Sequence, residues 1–484
     1  MDDIFLLVDF GSTYTKVIAV DLDKEEVLSR AQSPSTVQEN MLIGLQNALR
    51  KLTIHERQID DATIRQSRKL ACSSAAGGLS LVAIGLVPQL TLEAALRAAL
   101  GAGAKLIGSY AYELNDDDIH QIEQIACDIV LISGGTDGGN KDVILHNAKI
   151  LATSSLNVPF VVAGNRVVNG EVKRILESNG KYAEITENVL PELDRLNVEP
   201  ARSCIRDIFM RRIIHAKGLD KAQEYIGDII MPTPMATLKA AQLLADGSGS
   251  EPGLGELMVV EVGGATTNVH SIAKGYSTAY AAVMKGLPEP YAKRTVEGDL
   301  GIRYNAETII KIVGEQRVSE NIPVQPDCAS LDLVRMASFL SKNIGFVPAN
   351  EEDFLIDLGL ARSAVEVAVE RHAGIVKELW TPHEVINVQY GKDLTELRTL
   401  VGTGGIFAYN PGAEKILKAA LFDVSKSFHL KPKSPDFYID RRYILYGVGL
   451  LSDLEPVIAL TIAKKYLVKM LPSHCLNRGA SIQP

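Results

Sequence analysis

Apolar residues along the chain fall into short runs that end in polar, glycine-rich turns. Residues 4–10 (IFLLVDF) form such a run, as expected of a buried strand, and 11–16 (GSTYTK) form a turn rich in glycine and hydroxyls. Strands are expected again at 17–22 and 26–31. Met41, Leu45, Leu49 and Leu52 recur at helical spacing, which predicts a helix over 38–52. Residues 69–73 and 80–87 read as strands on either side of Ala75, Ala76, Gly77 and Gly78. The opening is therefore strand, strand, strand, helix, strand, beginning with antiparallel hairpins.

From about residue 88 strands and helices alternate. Helices are predicted over 91–102 and 115–126, the second capped by Asn115 with acids in its first turn. Strands are predicted at 104–109, at 128–133, which ends in GGTDGG, and at 159–163. Such alternation suggests a parallel α/β unit inserted into the chain. Beyond it come a helix over 234–245, a flexible linker over 246–256, a strand at 257–262 and another at 269–273. Residues 351–380 read as largely helical. A strand over 397–401 runs into GTGG, and a helix follows at about 412–422. The chain divides at 1–87, 88–230 and 231–484.

Composition narrows the class. With 484 residues and 46% apolar content, the chain can bury at least two cores. A net charge of −9, mixed along the sequence, gives no basic footprint for nucleic acid. The longest apolar-rich runs fall far short of the roughly 20 residues that span a bilayer, so no membrane partner is expected. The start, Met1-Asp2-Asp3, lacks the features of a signal peptide. Cys72, Cys127, Cys204, Cys328 and Cys475 are scattered and unclustered, as reduced thiols of a cytoplasmic protein would be. His215, His270, His372 and His383 are isolated and read as structural.

Two segments carry the same chemistry. In the first, a buried strand ends in Asp9 and turns through Gly11, Ser12, Thr13, Thr15 and Lys16. A turn without bulk lets backbone N–H groups approach phosphate oxygens, the hydroxyls and Lys16 add donors, and Asp9 can hold Mg²⁺ through water or orient an attacking water. In the second, Glu261 precedes Gly263, Gly264, Thr266 and Thr267, and the same argument applies. Two such loops can face one polyphosphate from opposite sides. A third loop, Gly402, Thr403, Gly404 and Gly405, follows a strand, and its glycines would let a flat adenine lie against backbone.

These three loops, in this order, resemble the superfamily of actin, Hsp70-type chaperones and sugar kinases. The resemblance implies an α/β fold: two ribonuclease-H-like lobes of the actin-like ATPase kind, 1–87 and 231–484, with a Rossmann-like subdomain at 88–230 inserted. It also implies ATP and Mg²⁺ between the lobes, with Asp9 and Glu261 at the metal. A closer resemblance lies in RTVEGDLGIRY (294–304), VERHAGIV (369–376), YGKDLTELRTLVGTGG (390–405) and PDFYIDRRYILYGVGLL (435–451), and in AAGGL (75–79) and SGGTDGG (133–139). These runs are similar to the MutL (GlmL) family of accessory proteins of coenzyme-B12-dependent glutamate mutase, which is unrelated to the mismatch-repair protein of that name. The implied function is a weak ATPase acting as a chaperone, or reactivase, whose partners are mutase subunits. No B12-binding signature is present, so no tightly bound cobalamin is expected.

Many members of the superfamily have aspartate where this chain has Glu261. Glu297 and Asp299 are further acids that can complete the metal shell or supply a base; alternatively they are N-terminal acids of the helix that follows. Asp137 in the SGGTDGG loop can contact a ligand or partner, or the loop only shapes a turn. A kinase for a small carboxylate or sugar and a non-hydrolysing nucleotide-binding scaffold stay open as alternatives. The oligomeric state is open too, a homo-oligomer included.

Overall fold

A computed structural model describes residues 4–470 apart from 37–39, 55–56, 75–78, 194, 210, 212–225, 227–228, 277–281, 288 and 323–331. The predicted Ala75–Gly78 turn, His215, Cys328 and Cys475 thus lie outside the described residues.

The chain opens as an antiparallel meander, β1 (Ile4–Phe10), β2 (Tyr14–Asp21) and β3 (Glu26–Pro34). β4 (Arg68–Ser73) joins β1 in parallel on its other side. Near-continuous apolar sequence makes β1 buried on both faces. Met41, Leu45, Ala48 and Leu49 of the Met41–Leu49 helix pack on one of them.

The next strands build a second sheet. β5 (Ser80–Gly85), β6 (Lys105–Ala111), β7 (Ile129–Ile132), β8 (Phe160–Val162) and β9 (Ala183–Ile185) pair in parallel in the order β9-β8-β7-β5-β6. The expected boundary at 87/88 is therefore corrected: β5 belongs to the inserted sheet, where its two neighbours bury it completely on Leu81–Ile84. The other boundary shifts as well. β10 (Ile229–Pro232) pairs with β4, which returns the chain to the first sheet and completes the order β10-β4-β1-β2-β3.

The third sheet repeats the first. β11 (Leu257–Val262), β12 (Thr267–Ile272) and β13 (Ala292–Glu297) form the meander. Residues expected to be helical over 351–380 are a helix only at Glu351–His372; Gly374 breaks it, and β14 (Ile375–Trp380) pairs with β15 (Val385–Tyr390) in a small separate sheet. β16 (Thr399–Thr403) then lies parallel to β11, and β17 (Asp436–Ile439) parallel to β16. The order β13-β12-β11-β16-β17 repeats that of the first sheet, with Val468–Lys469 added antiparallel beyond β17. Both are ribonuclease-H-like, and the fold is two such lobes with an α/β insertion.

After the fifth strand of each lobe a helix crosses toward the other lobe, Thr233–Asp246 from the first and Leu445–Leu451 from the second. Their apolar faces share one core with Phe5 and Leu7 of β1 and Val259 of β11. The stretch expected as a flexible linker, 246–256, is a tight hairpin that pairs Gly247–Ser248 with Glu251–Pro252. Leu254 N and Gly255 N also bond back to Leu244 and Ala245 of the preceding helix. Among the described residues, no helix is long and apolar enough to cross a membrane.

Lys392 is buried in the second lobe, at the end of the sheet away from the turns. Lys392 Nζ donates to Tyr291 O at 2.7 Å and to Ser271 O at 3.2 Å, and Ser271 Oγ is also bonded by His372 Nε2 at 2.8 Å. Burial, with the nearby Lys293 charge, brings the Lys392 amine down to about 7. The unfolded chain keeps that proton until about pH 10. Unfolding between those values takes up a proton, so stability rises with pH there. Lys392→Met is expected to remove up to about 1.4 kcal/mol per pH unit of that slope. Urea unfolding between pH 7.5 and 9.5 measures it, and an unchanged slope would mean that this amine does not titrate in that range.

Candidate functional site

The meander of each lobe turns in the same way. Gly11 N donates to Tyr14 O at 3.1 Å, and Gly263 N donates to Thr266 O at 2.9 Å. Asp9 stands opposite Lys16 across the first hairpin, and Glu261 opposite Asn268 across the second. The turns are neighbours in space: a Cβ on Gly264 would lie 3.3 Å from Thr13 Oγ1. Both line one cleft of about 540 Å³, with walls from both lobes and from the inserted domain.

In the first lobe, Asp9 is buried and both its oxygens are engaged. Lys16 Nζ donates to Oδ2 at 2.6 Å, and Thr233 Oγ1, at the start of the crossing helix, donates to Oδ1 at 2.6 Å. Burial lowers the Lys16 pKa, but Asp9 and the Tyr443 hydroxyl outweigh it and hold the ammonium above the usual lysine range. The Lys16 ammonium also lies 4.6 Å from the centre of the Tyr443 ring. Tyr443 has φ of 51°, a backbone state uncommon outside glycine, and such outliers concentrate at functional sites.

In the second lobe, Asn268 Nδ2 donates to Glu261 Oε2 at 3.1 Å, and Arg294 Nη2 to Asn268 Oδ1 at 3.4 Å. His270 Nε2 lies 3.7 Å from Glu261 Oε2. Burial pushes the Glu261 pKa up, yet His270, Arg294 and Asn268 together bring it below the ordinary carboxylate range, so Glu261 is ionised. Burial lowers the His270 pKa, against the opposing pull of Glu261. Burial also brings the Arg294 guanidinium down to about 9, which leaves it cationic at neutral pH, and its Nε is buried without a hydrogen-bond partner.

Ten of the residues singled out from the sequence line the cleft: Asp9, Gly11, Ser12, Thr13, Lys16, Glu261, Gly263, Gly264, Thr266 and Gly405. Others support it from behind. Thr15 is buried beside Gly44, Thr267 Oγ1 donates to Leu300 O at 2.7 Å, and Thr403 Oγ1 donates to Asp440 at 2.9 Å. Gly402 faces the Phe407 ring, and Gly404, at φ of 108°, stands against the Val262 carbonyl with no room for a Cβ. Their hydroxyls and glycines shape the loops and do not face the cleft.

Glu297 and Asp299 are a correction. Neither lines the cleft; both are bound by Arg371 of the long second-lobe helix, at 2.6 and 2.9 Å. Both acids are paired with Arg371 outside the cleft lining. The three residues that follow the EGDLG run contribute backbone: Ile302 N bonds to Gly263 O, and Arg303 N and Tyr304 N bond to Gly264 O, which braces the second turn. The SGGTDGG loop is also remote from the cleft. Its Asp137 accepts from Arg166 N and Asn188 Nδ2 at 3.1 and 2.9 Å, so the loop is closed by its own neighbours.

Sequence reasoning missed Thr233, Arg294, Lys105, Tyr443 and the Arg303–Asp357 pair. That pair lines the cleft with two parallel bonds of 2.8 Å each. The cleft wall also carries apolar residues, among them Ile302, Ile344 and Phe346 and, in the helix that starts at Gly405, Ile406 and Tyr409.

The family model described as MutL protein matches residues 5–467. The chain belongs to the MutL family. Protein MutL of Clostridium tetanomorphum is 46% identical over 469 residues, covering 97% of this chain and 100% of that protein. Among solved structures, gluconate kinase from Lactobacillus acidophilus covers 97% of this chain and 93% of its own, at 10% identity and a TM-score of 0.33. Plasmodium falciparum glycerol kinase with ADP covers 96% and 90%, at 10% identity and a TM-score of 0.30. With overlap this loose, strand order carries the fold of this family member.

Proposed function

We propose that this MutL family member binds ATP with Mg²⁺ between its lobes, hydrolyses it slowly and uses lobe closure to reactivate a coenzyme-B12-dependent mutase, glutamate mutase or a related aminomutase. The observation that carries the nucleotide reading is the pair of like turns, one per lobe, meeting at a single cleft. The mutase as target rests on family membership.

The donor set fits a polyphosphate. The turns at Ser12–Thr13 and Gly264–Thr266 offer backbone N–H groups, Lys16 supplies a largely buried cation, and Arg294 Nε is a buried donor without an acceptor. Glu261 and Asp9 are the carboxylates that would hold Mg²⁺, in the manner of a cation that takes one or two acids and leaves its other positions to water and phosphate. The metal would supply charge neutralisation at the phosphates. Asp9 reaches it only if Lys16 turns from the carboxylate toward phosphate. Thr233 keeps Asp9 tied to the crossing helix meanwhile, so a change at the first turn is felt between the lobes. Closure is favoured when both turns engage one ligand, since only then do both lobes contribute contacts.

MgATP at about 100 times its dissociation constant is expected to stabilise the protein by about 2.7 kcal/mol, seen as a higher melting temperature. Melting unchanged across millimolar MgATP would remove the nucleotide reading. Phosphate release with no small-molecule acceptor separates an ATPase from a kinase, and ATP-dependent capture of the mutase subunits tests the partner.

A further inference from the structure

The segment joining the inserted Glu93–Gly101 helix to β6 is wedged between the lobes. Gly103, at φ of 92°, makes the turn, and a Cβ there would lie 3.1 Å from Cβ of Pro232 in the first lobe. On the other side, a Cβ on Gly298 of the second lobe would lie 2.9 Å from Lys105 Nζ. Arg294 Nη1 donates to Leu100 O at 3.1 Å, and Arg97 pairs with Glu289 at 3.1 Å. One stretch of the insertion, 97–105, thus touches both lobes, and Gly103 and Lys105 are part of the cleft wall.

The cationic side chains facing the cleft differ in one respect. Lys16 is paired with Asp9 and Arg303 with Asp357, while Arg294 donates to Leu100 and Asn268. Lys105 is half-buried, and its ammonium has no hydrogen-bond or ion-pair partner among the described residues. A partly desolvated cation without a counter-charge favours an anion at its side. The cleft is also polarised. Gly405 and Tyr409 follow β16 on one side of β11, whereas Arg294 and Gly298 belong to β13 and its end, on the other side. A ligand with an apolar ring at the first end and a phosphate chain along the two turns has its last phosphate toward Lys105.

We propose that Lys105 is a terminal-phosphate contact through which the inserted domain distinguishes a nucleoside triphosphate from a diphosphate. This rests on the nucleotide reading above. It adds that the insertion is a sensor of phosphate number, because the same short wedge carries Lys105 and touches both lobes.

Calorimetric titration with ADP and with a non-hydrolysable ATP analogue, both with Mg²⁺, tests it. In Lys105→Ala the preference for the triphosphate is expected to fall about tenfold or more, with ADP affinity unchanged. Lys105→Arg is expected to keep part of the preference. Hydrogen exchange at amides 100–105 should slow more with the analogue than with ADP in the natural protein, and equally with both in Lys105→Ala. Loss of both affinities by the same factor in Lys105→Ala, or of neither, overturns the proposal while leaving the nucleotide reading in place. If the natural protein binds neither nucleotide, the nucleotide reading itself falls, and the sensor with it.

Discussion

Replacing Asp9 with alanine is expected to destabilise the first lobe by about 3–5 kcal/mol and to cut phosphate release about 100-fold or more. The carboxylate is 1% exposed and compensates the Lys16 ammonium, which is itself almost out of water. Without it, the desolvation of Lys16 is opposed only by Tyr443, and Thr233 Oγ1 loses its acceptor. An ion pair broken on one side costs more than the pair contributes, because the remaining charge stays buried. Lys16→Met in the Asp9→Ala background should therefore recover part of the stability but none of the phosphate release. Urea unfolding of the two single variants and the double variant separates the terms. Near-natural stability of Asp9→Ala would show that Lys16 reaches solvent when unpaired.

Gly449→Ala is expected to cost about 3 kcal/mol or more, a large effect for one methyl group. Gly449 is inside the Leu445–Leu451 helix, where glycine is itself unfavourable by about 1 kcal/mol relative to alanine. Its place there is explained by the other crossing helix. A Cβ would fall within contact distance of the Ala236 carbonyl oxygen, a backbone atom with no rotamer to change. Gly447 is close to Leu7 in the same way, at 2.9 Å from Leu7 Cδ1, but a flexible side chain can yield. Gly447→Ala should thus cost clearly less than Gly449→Ala. Equal effects in thermal unfolding would mean that the two helices separate more easily than their packing implies. Since these helices join the lobes, Gly449→Ala should also weaken the link between ligand binding and closure.

The two turns were legible because each is a local event. An apolar strand ending in an acid, followed by glycine two residues on and a hydroxyl residue beyond, folds into the same hairpin at Asp9 and at Glu261. The residues that answer these turns were not legible. Thr233 is 224 positions from Asp9, and Arg371 is 74 from Glu297. Nothing near EGDLG in the chain signals that an arginine on a distant helix holds both acids. A Thr-Pro pair at a helix start was the one local hint for Thr233. The strand over 375–380 was lost to the long helical pattern before it, although Gly374 followed by Ile375 and Val376 marks the change.

By itself, the sequence determined the repeated strand-and-turn unit, its acid, its glycines and the alternating α/β insertion, since backbone conformation and strand burial depend on neighbours a few positions away. Only the tertiary structure decided which charges face the cleft. Asp9 is committed to Lys16 and Thr233, Glu297 and Asp299 to Arg371, and Lys105 enters from the inserted domain with no charged partner among the described residues. Ion pairing and desolvation act through space, so a side chain's role there is set by whichever segments the fold brings within a few ångströms of it.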